Sequence, residues 1–115
     1  MKIKTSELTG AALDWAVATC EGAYAPIVDT DADGTMRINY GGMYPEWSSD
    51  WAHGGPIIER ERLGLGHVIS EGNSYWIAVG YVAEECGPNV LTAAMRCYVA
   101  SKLGDVVDVP GQLGL

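Results

Sequence analysis

Two stretches near the ends of this chain repeat apolar residues at helical spacing, while the middle is broken by glycine, proline and short alternating runs. Leu8, Ala12, Trp15 and Ala16 form one stripe, which Thr19 continues through its methyl group. Glu7, Asp14 and Glu21 share the opposite face. Thr5 or Ser6 is the expected cap of this helix, which runs to Glu21 and stops at Gly22. In the second stretch Leu91, Ala94, Met95, Tyr98 and Val99 line one face from 90 to 103. Asn89 is its expected cap, Lys102 suits its negative end and Gly104 stops it.

Between the helices the reading is extended and hairpin-like. Residues 2–4 form a short edge strand, and Pro26-Ile-Val28 is extended. Residues 29–34 turn, and 35–40 alternate like a strand. Residues 65–70 and 74–81 read as two strands about a Gly72-Asn73 hairpin turn. A short helix starts near Gly55-Pro56 and ends near Leu63-Gly64, with an earlier start capped by Ser49 or Asp50 as the alternative. Residues 105–110 are extended, and 111–115 form a frayed tail. This order predicts an α+β fold: one domain over residues 1–110, a small sandwich of two main helices plus one short helix against an antiparallel sheet.

A chain of 115 residues, nearly half of them apolar, can bury a core without disulfides or metals. The formal net charge of -8 disfavours direct nucleic-acid binding and anionic membranes, and fits a basic partner or DNA mimicry. Cys20, Cys86 and Cys97 are widely spaced, with no CxxC to suggest zinc. The N-terminal residues lack the apolar core of a signal peptide, and no stretch approaches a membrane span. The expectation is a reducing cytoplasm.

The densest chemistry lies in 44–62, which holds two tryptophans, a histidine, a Gly-Gly-Pro and a run of charge. Trp47 and Trp51 stand four residues apart and would share a face if that segment were helical. They read either as anchors to the core or as a stacking platform for a ring, with Tyr40, Tyr44 and Trp76 completing the wall. Gly54-Gly55 would admit a ligand close to the backbone, and the helix start would offer amides to an anion. In the Glu59-Arg-Glu-Arg62 cluster, Arg60 or Arg62 reads either as a solvated ion-pairing residue or as a fork for phosphate.

Three sharper readings are weaker. Asp29-x-Asp31-x-Asp33-Gly34 matches the first half of a calcium loop, but Tyr40 stands where a bidentate glutamate belongs. Ser48, Ser49, Asp50 and His53 include a nucleophile and a base, without a nucleophile-elbow pattern. His53 with Glu46, Asp50 and His67 lacks metal-ligand spacing. No catalytic residue, cofactor or metal is expected.

Lys4-Thr-Ser-Glu-Leu-Thr-Gly-Ala-Ala-Leu-Asp-Trp-Ala-Val-Ala18 resembles the start of the phage NinX-like family. Asp50-Trp-Ala-His-Gly-Gly-Pro-Ile-Ile-Glu-Arg-Glu61 is similar to that family's central motif. Ala93-Ala-Met-Arg-Cys-Tyr-Val-Ala-Ser-Lys-Leu-Gly-Asp105 is similar to its C-terminal helix, and Val109-Pro110 to its ending. The order of elements also resembles, more distantly, the phage ABA-sandwich domains. The resemblance implies a phage or prophage accessory protein in the host cytoplasm and supplies no activity.

The expected function is therefore a non-enzymatic, counter-defence binder, oligomeric in form, that sequesters a small nucleotide-like host signal. Tyr44, Trp47 and Trp51 would face the ring. Arg60 and the Gly54-Gly55 backbone would meet phosphate, Asp50 or Glu59 the ribose hydroxyls, and His53 would sit at the edge. The acidic charge requires a local positive patch from Arg37, Arg60 or Arg62. The alternative is an acidic protein–protein inhibitor or DNA mimic acting on a host protein.

Overall fold

The computed structural model describes residues 1–114. The architecture is α+β, with three helices and three small antiparallel sheets. In chain order, β1 (Lys2–Lys4) leads through a 3-10 turn to α1 (Gly10–Glu21). The hairpin β2 (Ile27–Thr30) and β3 (Met36–Asn39) follows, then α2 (Trp51–Glu61). Three strands come next: β4 (Gly64–Ser70), β5 (Asn73–Val79) and β6 (Glu84–Gly87). The chain closes with α3 (Val90–Leu103) and β7 (Val106–Asp108).

The two end helices form where their apolar spacing placed them. Helix α3 is capped by Asn89, whose Oδ1 accepts the Thr92 N–H at 2.9 Å, and Gly104 follows its last residue at φ 85°. Helix α1 ends on Gly22 at φ 75°, a left-handed position that costs glycine little. Its start differs from expectation. Thr5 is fully buried; its hydroxyl donates to the Gly104 carbonyl at 2.6 Å and its N–H to Asp105 at 2.8 Å. Thr5 thus ties the chain start to the end of α3, residues Thr5–Glu7 make a 3-10 turn, and α1 begins at Gly10.

Of the two starts considered for α2, the earlier one forms. Asp50 caps it by accepting the Ala52 N–H at 2.9 Å, and Pro56 lies inside the helix. The β4–β5 hairpin turns on Glu71-Gly72, both at positive φ, with Asn73 already paired to Ser70. Turn geometry therefore shifts the loop one residue from the expected Gly72-Asn73. Strand β6, which carries no alternating pattern, is recruited as a partner of β5. Strands β1 and β7 pair, so the two ends of the domain close on each other. Residues 111–113, expected to fray, form a 3-10 turn with Leu113 packed on the core; Leu115 lies outside the described residues.

The core sits between α1, α3 and the inner faces of the sheets. Leu13, Ala16, Val17, Ala93, Ala94, Met95 and Val99 are fully buried. Ala12, Ala16 and Ala18 lie on the buried face of α1, and Ala93 and Ala94 on that of α3, the helix it packs against. Cys97 is buried, Cys20 half-buried and Cys86 exposed, all as free thiols.

Candidate functional site

The aromatic segment divides on folding. Trp47 is only 6% exposed and packs edge-on against Tyr40, whose ring meets Tyr24 in the same way. Trp51 opens α2 and is 56% exposed. The two indoles do not share a helical face because the helix begins only at Trp51.

The glycines divide as well. A Cβ on Gly54 would come within 2.6 Å of both Leu91 Cδ2 and the Trp47 carbonyl oxygen, so this glycine lets α2 seat against α3. Gly55 is open, its nearest neighbour being the Trp51 ring at 3.8 Å. Gly54→Ala is expected to cost about 1–3 kcal/mol by overpacking. Gly55→Ala is expected to gain up to ~1 kcal/mol from helix propensity. Urea denaturation of the two variants checks this, and equal effects would contradict the close approach.

Arg60 is occupied. It forms a fork on Glu21 at 2.8 and 3.3 Å, bonds Glu61 at 3.0 Å and reaches the Tyr98 hydroxyl at 3.2 Å. The Glu21 carboxyl is partly desolvated, yet hydrogen bonds from Arg60 and Tyr98 hold it below the usual range. This network joins α1, α2 and α3. Along a straight helix it lies ~13 Å from Trp51. Glu59 is exposed on the same helix.

Asp50 and His53 are engaged locally. Asp50 caps α2, and His53 Nδ1 accepts the Glu46 N–H at 3.1 Å while standing 3.5 Å from Asp50. They brace the turn that carries Ser48 and Ser49. His67 lies on β4, where it packs on Trp76 and bonds Ser74 at 2.5 Å, so the two histidines serve different elements. Asp31 pairs with Arg37 at 2.8 Å, Asp33 accepts the Thr35 N–H at 3.0 Å, and Asp29 accepts from Tyr44 and Asn39. The three carboxylates thus serve their own hairpin. No group of three or more His, Cys, Asp or Glu placed to hold a metal occurs among the described residues.

Two adjoining clefts form around this turn. The first, of about 400 Å³, lies between the start of α1, strand β3 and the start of α3, and is lined by Tyr44 and Arg37 on one wall. The Arg37 guanidinium sits 4.9 Å over the Tyr44 ring. The second, of about 360 Å³, is bordered by Trp51 and Trp76. Ser48, Ser49 and Asn89 line both. Tyr44 and Trp51 are therefore brought to one composite cleft, while Trp47, Gly54 and Arg60 are built into the scaffold behind it.

The floor of the first cleft holds a residue that sequence reading put on the solvent face. Asp14 is 7% exposed and accepts the Ser48 N–H at 2.8 Å. Burial pushes its carboxyl up to about 6; hydrogen bonds from Ser48 oppose this in part, nearby Glu46 raises it and His53 lowers it. Thr92, 4% exposed, lies on the same cleft. Neither had a local sequence signal, because both face the cleft only once α1, α3 and the 46–50 turn meet.

No helix among the described residues is long and apolar enough to cross a membrane. A search of curated proteins finds no match to the sequence. The family model described as Bacteriophage P22, NinX matches residues 4–102, and with nearly the whole chain covered, this protein belongs to the phage NinX family.

Proposed function

We propose that this phage protein is a non-enzymatic counter-defence binder that sequesters a small nucleotide-like host molecule in the composite cleft, acting in the host cytoplasm. The observation that carries this reading is the pairing of two clefts through Ser48, Ser49 and Asn89, with aromatic rings at one end and Arg37 at the other. Each cleft falls in the range that small ligands use. The half-exposed Trp51 ring beside Trp76 suits stacking on a base, worth ~1–3 kcal/mol. Arg37, although ion-paired with Asp31 at 2.8 Å, lines the first cleft and is the cation placed to meet a phosphate there, a role the sequence offered to Arg60 as well.

The reading is tested by incubating purified protein with nucleoside phosphates and cyclic nucleotides, following Trp fluorescence and melting temperature. A binding ligand at a hundred times its Kd should stabilise the fold by ~2.7 kcal/mol. Trp51→Ala should weaken that binding by ~1–3 kcal/mol. If no member of the panel changes either signal, the reading fails.

A further inference from the structure

Helix α1 opens on the first cleft without a capping side chain. Its first N–H groups have no intrahelical partner, and those of Gly10 and Ala11, which line the cleft, make no backbone bond outside the helix. Helix α2, by contrast, is capped by Asp50, and α3 by Asn89.

A second observation is independent of the helix end. Thr92 is 4% exposed and lines the same cleft, but its hydroxyl is absent from the hydrogen bonds among the described residues. No fully enclosed side-chain oxygen lacks a partner among the described residues, so this hydroxyl keeps some exposure, and the surface its residue lines is the cleft. A buried, unbonded hydroxyl on the same cleft as two uncommitted amides is a donor set suited to an oxyanion.

We propose that the Gly10 and Ala11 amides and the Thr92 hydroxyl bind a phosphate group of the ligand. This deepens the nucleotide-like reading and rests on it. The phosphate end would lie at the start of α1, beside Arg37, and the ring at Trp51.

The placement has a consequence at Asp14, one turn further along α1. A phosphate in this cleft and an ionised Asp14 repel each other, so binding favours the neutral carboxyl and takes up a proton. The other charged or titratable groups on this cleft are Arg37 from β3, and Tyr44 and Glu46 from the loop before α2; α3 contributes only Asn89 and Thr92. His53 stands behind the turn and favours the ionised form.

The test is an amide NMR titration of the whole chain with inorganic phosphate, AMP and adenosine. Phosphate and AMP are expected to shift the Gly10 and Ala11 amides, and Thr92→Val to weaken both on the order of tenfold, with Thr92→Ser restoring binding. Sulfate, whose charge stays constant, should bind at least about tenfold more weakly at about pH 8 than at about pH 5, and Asp14→Asn should flatten that dependence. If saturating phosphate leaves both amides unmoved, or Thr92→Val binds as the parent does, the phosphate site is overturned. If adenosine alone still shifts the Trp51 and Trp76 indoles, the ring cleft survives that failure. If none of the three probes shifts either set, the nucleotide-like reading falls with it. A sulfate affinity independent of pH removes Asp14 from the site.

Discussion

Trp47→Ala is expected to destabilise the protein by about 3–5 kcal/mol, a large part of a small domain's stability. Trp51→Ala, four residues on, is expected to change stability by no more than ~0.5 kcal/mol. The contrast follows from burial: Trp47 is 6% exposed and Trp51 56%. Removing the Trp47 indole opens a cavity against Tyr40 and beside the place where α2 seats on α3. Removing the Trp51 ring leaves only a wider cleft. Urea unfolding of both variants, followed by circular dichroism, measures the difference. Similar losses for the two would contradict this division between a buried and an exposed indole.

Asp14→Asn is expected to stabilise the fold by about 2–3 kcal/mol above about pH 6.5, with the gain fading to nothing near about pH 3. The direction comes from the buried carboxyl, whose pKa rises from 3.8 to about 6 on folding. A raised carboxylate pKa means that the folded state resists ionisation. Below the unfolded pKa the group is neutral in both states and costs nothing. As pH rises through 4 to 6 the unfolded chain ionises first, and the folded state loses stability. Above the folded pKa the full cost is present. Asparagine keeps an oxygen for the Ser48 N–H and never ionises, so it escapes that cost. Melting curves of parent and variant across this pH range test the sign, and a variant less stable at neutral pH would refute it. Retention of a destabilising acid in a cleft is the pattern expected when stability is traded for a site.

Much of the fold is legible in local pattern. Apolar spacing marks α1 and α3, and Asn89, Gly22 and Gly104 mark their ends. Alternation marks β3 and the β4–β5 hairpin. Legibility stops where a residue is claimed by something distant in sequence. Thr5 reads as a helix cap but is taken by Gly104 and Asp105. Glu84–Gly87 carries no strand pattern of its own but completes the sheet beside β5. The candidate site shows the same limit: the 44–62 segment stood out by composition, yet composition does not distinguish Trp47 from Trp51 or Arg60 from Arg37.

What the sequence by itself determined, then, is the class of fold, the presence and C-terminal ends of its two end helices and the NinX family to which the chain belongs. Those depend on periodicity, on glycine and asparagine at helix ends, and on contiguous motifs. Only the tertiary structure decided which aromatic ring was left exposed, which arginine was already paired with Glu21, and that Asp14 and Thr92 meet at one cleft. The physical reason is that burial and ion pairing are properties of neighbours in space. In this chain Ser48 and Asp14 lie 34 residues apart in sequence, and Arg60 and Glu21 lie 39 apart.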